Sequence, residues 1–202
     1  MLIKLFEDNP NRRDILKVVD RLRDGGVIIY PTDTVYAMGC DINNVKAVQR
    51  VAQLKGVKPE KANFLMICRD LSNIAAYAKV NNDVFKVMKR NLPGPFTFIL
   101  PAMNKLPNVL MNRRKTIGIR IPDNFIIHAI VEELGNPLLT TSLHDEDEIV
   151  EYMTDPELIH EKYEKIVDVV IDGGFGHNVA STVVDCTGEE AEVIRQGIGE
   201  IE

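Results

Sequence analysis

Cysteine is scarce in this chain, and its layout excludes two framework chemistries. Cys40, Cys68 and Cys186 are odd in number and form no CxxC pair. That fits neither a disulfide framework nor a zinc site and predicts buried, reduced thiols. Long apolar runs are also missing: Val27 to Tyr30 and Phe64 to Cys68 are far shorter than the roughly 20 residues of a spanning helix. Met1 to Glu7 lacks the layout of a signal peptide, so no membrane segment is expected and the expected compartment is the cytoplasm. Basic residues do not prevail, and a net charge of −6 argues against broad, non-specific capture of nucleic acid while leaving room for a basic cavity. There is no GxSxG elbow, no Ser-His-Asp constellation and no GxxxxGK[ST] or GxGxxG phosphate loop. His128 falls inside a helical run, where a helix-surface role is expected, and His144, His160 and His177 lack partner motifs. Chemistry in this chain must therefore come from positioning and charge rather than from a protein nucleophile.

What is present is an ordinary globular composition, 45% apolar and 27% charged, without low-complexity tracts or repeats. The 202 residues predict one domain, 1–202, with one substantial core. Ile15, Val18, Val19 and Leu22 share a helical face that Gly25-Gly26 terminates. Further helices are expected over Asn44 to Leu54, Asp83 to Asn91 and Phe125 to Leu134. Strands are expected over Val27 to Tyr30, Asn63 to Ile67, Thr97 to Leu100, Thr116 to Ile121, Leu138 to Thr141, Val167 to Ile171, Thr182 to Asp185 and Val193 to Arg195. The alternation predicts an α/β fold with a twisted mixed sheet flanked by helices. His144 to Glu151 reads as a solvated acidic loop; a metal site of His144, Asp145 and Asp147 is the sharper alternative.

Four polar clusters sit at the ends of these elements. The first follows Val27-Ile28-Ile29-Tyr30, a run apolar throughout and so expected to be covered on both faces, which Pro31 ends because it has no amide donor. Thr32, Asp33, Thr34 and Tyr36 are then delivered at a strand end, where α/β sheets bind ligands; a plain turn is the other reading. The second, Lys55-Gly56-Val57-Lys58-Pro59-Glu60-Lys61, sets Lys55 and Lys58 near a helix-ending glycine, either for a polyphosphate or to complement the helix dipole. In the third, period-2 alternation puts Thr116, Gly118 and Arg120 on one strand face, with Gly118 leaving room beside the guanidinium. Arg120 there grips either a ligand carboxylate or phosphate, or an internal carboxylate. The fourth is Thr140-Thr141-Ser142; Ser181-Thr182 and Arg195-Gln196-Gly197 add a further hydroxyl pair and guanidinium.

Taken in order, Tyr30-Pro31-Thr32-Asp33-Thr34-Val35-Tyr36-Ala37-Met38-Gly39, Pro93-Gly94-Pro95-Phe96-Thr97-Phe98, Thr116 to Asp123, Ser181-Thr182-Val183-Val184-Asp185 and Ile194-Arg195-Gln196-Gly197 resemble the YrdC/YciO family, and most closely its YciO branch. The resemblance spans nearly the whole chain. It implies a twisted sheet around a large positively charged cavity, an architecture shared with double-stranded RNA-binding relatives. The activity it implies is condensation of L-threonine, bicarbonate and ATP into threonylcarbamoyl-adenylate and pyrophosphate, the first step toward threonylcarbamoyladenosine in tRNA. ATP enters as substrate, with Mg2+ as its partner. By the same resemblance Thr34, Arg120 and Ser181 would contact the threonine moiety, Lys55 the phosphates, and Ser142 and Arg195 the nucleotide. Three positions depart from the synthase pattern: Val57 stands where an arginine belongs, His144 replaces the asparagine of Ser-x-Asn, and Cys68 stands where longer members place a histidine. The alternatives are a hydrolase of the adenylate rather than its main synthase, or a double-stranded RNA or tRNA-binding module using the same cavity.

Overall fold

Asn11, Asn44, Asn81, Asn124 and Asp155 each cap a helix by accepting a backbone N–H of the first turn, so a side chain that competes with the helix interior starts all five. The computed structural model describes residues 1–58, 64–72, 74–103, 115–143 and 153–202. The helices are α1 (Arg12–Arg23), α2 (Val45–Leu54), α3 (Asn82–Asn91), α4 (Phe125–Leu134) and α5 (Pro156–Tyr163). The strands are β1 (Leu2–Lys4), β2 (Val27–Tyr30), β3 (Ala37–Asp41), β4 (Leu65–Ile67), β5 (Phe96–Pro101), β6 (Thr116–Arg120), β7 (Leu138–Ser142), β8 (Val169–Asp172), β9 (Thr182–Asp185) and β10 (Glu192–Arg195). They form one mixed sheet in the order β1-β8-β2-β3-β7-β4-β6-β5-β9-β10.

The expected helices and strands are all present, with ends shifted by a residue or two. Among the described residues the further elements are β1, β3, α5 and a 3-10 turn at Ile74–Ala76. β3 reads Ala-Met-Gly-Cys-Asp, with no β-branched residue, and is a strand because β2 and β7 pair with both of its edges. α5 buries only Pro156 and Ile159, so its apolar stripe is faint, although Asp155-Pro156-Glu157 is an N-cap followed by proline at the first helical position.

Alternation along the strands divides the core. One sheet face carries Ile29, Met38, Met66, Phe98, Ile119 and Leu139 against α2, α3 and α5. The other carries Ile28, Tyr30, Ile67, Leu138, Val169 and Ile171 against α1 and α4. α1 and α4 cover that second face from β1 as far as Leu138 of β7 and Ile67 of β4. Farther along it Leu65, Ile99 and Val183 are half-buried although they lie on central strands, so the face is open to solvent there. Four strand-to-strand steps separate β2 from β6, and at roughly 20–25° of twist per step the two run steeply across one another. The loop leaving β2 thereby reaches the end of β6.

Cys40, Cys68 and Cys186 are buried and unpaired, and loss of hydration pushes the first two thiols up to about 12 and the third to about 11. The folded protein should resist iodoacetamide at pH 8 and label at all three thiols in denaturant, counted by mass spectrometry. Because these pKa values are raised on folding, the thiols should weaken stability as pH rises past 9, where the unfolded chain ionises first. Among the described residues no helix is long and apolar enough to cross a membrane.

Candidate functional site

The strand-end loop is a turn and is also built into a site. Thr32 Oγ1 accepts the Thr34 N–H at 3.0 Å and donates to the Val35 carbonyl at 2.7 Å, so this hydroxyl shapes the loop. Thr32 and Thr34 are nonetheless buried, unlike the residues of an ordinary surface turn. Asp33 between them reaches β6: Arg120 Nη2 donates to Asp33 Oδ1 at 2.7 Å and to Thr34 Oγ1 at 3.0 Å. The other carboxylate oxygen accepts the Asp123 N–H at 2.9 Å. Both partners of the ion pair are almost dry, with side chains 6% and 9% exposed. Among the described residues Arg120 Nε is buried without a hydrogen-bond partner. Burial draws the guanidinium pKa down, Asp33 opposes the shift, and the charge of Arg195 adds to it, so the two arginines feel one another.

The room expected beside Gly118 is already filled. A Cβ there would lie 2.3 Å from Leu65 Cδ2, and the carboxylate that Arg120 grips is the chain's own Asp33.

Tyr30, on the same face, lays its ring over Gly39 of β3 and donates to Thr140 Oγ1 on β7 at 2.6 Å; Thr140 passes the bond to the Met38 carbonyl at 3.3 Å. Burial drives the Tyr30 phenol pKa strongly upward, which keeps it a neutral donor. Ser181 Oγ and Thr97 Oγ1 are 2.8 Å apart, and Arg195 Nη2 donates to the Ser181 carbonyl at 2.8 Å. A register shift between Val193 and Arg195 aims that guanidinium back toward the face that holds Arg120.

Lys55 arrives from the other side of the sheet. Gly56, at φ +65°, closes α2 with its N–H on the Gln53 carbonyl and that of Val57 on the Ala52 carbonyl, a Schellman arrangement that a side chain at 56 would strain. Lys55 then reaches the Ser142 carbonyl at 3.1 Å. Lys58 is exposed immediately before the segment 59–63, and Val57, where a cation was expected in the synthases, is an exposed apolar side chain. Cys68 packs in the apolar cluster on the opposite face from Ile67. His144, Asp145 and Asp147 lie outside the described residues. Among those described, no group of three His, Cys, Asp or Glu could hold a metal.

Tyr36 has both hydrogen-bonding functions committed: its hydroxyl donates to the Gly174 carbonyl at 2.7 Å and accepts the Gly173 N–H at 3.2 Å. It holds the 173–177 loop beside the site. Tyr36→Phe should cost about 1–3 kcal/mol, because both backbone groups lose a partner. Thermal unfolding should register the loss, and hydrogen exchange should quicken at Gly173 and Gly174 before the sheet. A cavity of about 400 Å3 opens between this loop, Thr32-Asp33 and Pro93–Pro95. Its lining includes Glu7, Asp123 and His177, whereas Lys55, Arg120 and Arg195 do not line it.

The structure thus gathers Thr34, Arg120, Ser181 and Arg195 around the joined ends of β6, β5 and β9, and brings Lys55 to Ser142 at the end of β7. Tyr30 and Thr97 are polar members of the same face that the motifs did not single out. Thr97, between Phe96 and Phe98, is detectable as the odd polar residue of an apolar strand.

A ten-stranded mixed sheet carrying a dry arginine–aspartate pair beneath a strand-end loop defines an α/β domain with a constructed polar site. The chain belongs to the Sua5/YciO/YrdC family, whose model, described as "Telomere recombination", matches residues 20–197. It is 43% identical to YciO of Escherichia coli K12 over 98% of this chain and 95% of that protein. The crystal structure of E. coli YciO superimposes with a TM-score of 0.91 at 41% identity, over 99% of this chain and 97% of that one. A Halorhodospira halophila protein named threonylcarbamoyl-AMP synthase is 34% identical over 60% of this chain and 63% of its own length. The structure of P. abyssi Sua5 complexed with L-threonine matches with a TM-score of 0.87 at 25% identity, covering all of this chain and 62% of that one.

Proposed function

We propose that the polar face around Arg120 binds L-threonine and an adenine nucleotide, and that the protein makes or consumes threonylcarbamoyl-adenylate. The observation that carries this reading is the buried Arg120 guanidinium, held by Asp33 and Thr34 with a donor left over, at a strand end that also presents Ser181 and Arg195. A relative named threonylcarbamoyl-AMP synthase and a Sua5 structure holding L-threonine support the choice of ligands.

In the synthetic direction the threonine amine takes up bicarbonate as a carbamate with loss of water. A carbamate oxygen then bonds to the α-phosphorus of ATP, and the α–β P–O bond breaks to release pyrophosphate. The chain supplies hydroxyls and cations, which orient the partners and stabilise charge on the transferring adenylyl group. Thr34 and Arg120 hold the amino acid, Ser181 borders it, Lys55 and Lys58 face the phosphates, and Ser142 and Arg195 the nucleotide, while Thr140 braces Tyr30 on the same face. The described residues offer no carboxylate cage for Mg2+, so the cation belongs to the nucleotide's phosphates in this reading.

Val57 favours the hydrolytic direction as a second reading. An apolar residue in place of an arginine weakens the hold on a triphosphate more than on an adenylate, which has lost its outer phosphates. Purified protein should therefore change the amount of threonylcarbamoyl-adenylate, either from ATP, L-threonine, bicarbonate and Mg2+ or by degrading the preformed adenylate, as read by liquid chromatography. No change in either direction, together with salt-sensitive binding of double-stranded RNA, would replace this reading with an RNA-binding one.

A further inference from the structure

We infer that Asp33 is a positioning residue that acts on ligands only through Arg120, as a clamp joining the β2–β3 loop to the turn after β6. The inference deepens the reading of this face as an amino-acid site and rests on it for its ligand, though not for the clamp itself. Asp33 spends its two oxygens on different elements: Oδ1 on Arg120 Nη2 at 2.7 Å and Oδ2 on the Asp123 N–H at 2.9 Å. Its neighbours add a third tie, since Arg120 Nη2 also donates to Thr34 Oγ1. One nitrogen thus meets two acceptors from the same loop, which fixes the guanidinium plane. The chain behind Asp33 is braced by the Thr32 hydroxyl and by the His177 N–H on the Thr34 carbonyl at 3.0 Å.

Charge leads to the same assignment. Arg120 is 5% exposed, is repelled by the positive charge of Arg195, and has no other carboxylate within ion-pair distance among the described residues. Among the described residues Asp33 is the carboxylate that offsets the charge of that guanidinium. Without it, the arginine is driven toward water, and its unpartnered Nε leaves the position from which a ligand could use it. An asparagine at 33 keeps the shape and can still accept the Asp123 N–H, but it removes the charge that retains Arg120.

Two measurements test this on the full chain. In 15N-edited NMR the Arg120 Nε–H resonance, assigned by its loss in Arg120→Lys, should exchange slowly with solvent in the wild type. Asp33→Asn should quicken that exchange by tenfold or more while the backbone amides of β6 keep their protection. An unchanged Arg120 resonance in Asp33→Asn would overturn the clamp, and this readout needs no ligand. In calorimetric titration with L-threonine, Asp33→Asn should weaken binding on the order of tenfold to a hundredfold. The same change should add nothing in an Arg120→Ala background, measured at threonine concentrations high enough to detect the weakened complex. Additive losses would overturn the claim that Asp33 works through Arg120. A wild type that binds no threonine while the NMR result holds would sink the proposed ligand and leave the clamp standing.

Discussion

Arg120→Ala should unfold at a temperature roughly 6–20 °C below the wild type, and the surviving folded protein should bind L-threonine far more weakly than the wild type and lose turnover of threonylcarbamoyl-adenylate. The thermal part follows from what the substitution leaves behind. Asp33, with a side chain only 9% exposed, would keep its Asp123 contact and lose its cation. Removing one member of a buried pair costs about 3–5 kcal/mol, and each kcal/mol lowers the midpoint by about 2–4 °C in a chain of this size. Thr34 Oγ1 loses a donor at the same time. Arg120→Lys should recover part of the stability and little of the binding, because an ammonium restores charge beside Asp33 and Thr34 but lacks the Nε donor left over for a ligand. Calorimetric scans separate the two effects: equal losses of stability and binding in the lysine variant would mean that Arg120 is only structural.

Gly197→Ala should be the second severe change, and it acts through Arg195. A Cβ at 197 would stand 2.2 Å from the Ala180 carbonyl oxygen and 2.4 Å from the Ser181 carbonyl carbon, both backbone atoms with little freedom to move. The segment is stitched in place by Thr182 Oγ1, which accepts the Gly197 N–H at 2.9 Å and donates to the Gly199 carbonyl at 2.6 Å. Relief of the clash must push residues 195–197 off β9 at a cost of about 1–3 kcal/mol. The Arg195 guanidinium then loses the Ser181 carbonyl, so affinity for a non-hydrolysable ATP analogue should fall further than affinity for L-threonine. Gly188→Ala is the matched control: its Cβ would meet nothing nearer than 4.0 Å, and it should lie within about 0.5 kcal/mol of the wild type. Equal behaviour of the two variants would show that the close approach at Gly197 carries no weight.

Local patterns made most of the fold legible. The apolar run of β2 is buried on both faces because it is flanked by β8 and β3 and covered from both sides, as its lack of alternation implies. Helix α4 runs from Phe125 to Leu134, with Asn124 at one end and Gly135 at the other. β3 was hidden because its small residues form a strand only in the company of two neighbours, and β1, three residues long, depends likewise on β8. In the site, the types of residue were visible in the motifs but their partners were not. Nothing local in Gly118-Ile119-Arg120 says that Leu65 fills the space over the glycine or that the carboxylate gripped by Arg120 lies 87 residues away in the chain. Those facts depend on strand order and twist, which bring the β2 loop to the end of β6. Tyr36 makes the same point: in the motif it looks like a ligand contact, and in three dimensions it is the post that carries the 173–177 loop.

In the proposed function the Arg120 face, rather than the neighbouring cavity, is the ligand site. Its most direct measurement is a crystal structure of the wild-type protein grown with L-threonine and a non-hydrolysable ATP analogue. An amino acid should lie against Thr34, Arg120 and Ser181, with the nucleotide running between Lys55 and Arg195. Threonine seated instead in the cavity beside Glu7, Asp123 and Phe175, with the Arg120 face empty, would contradict it.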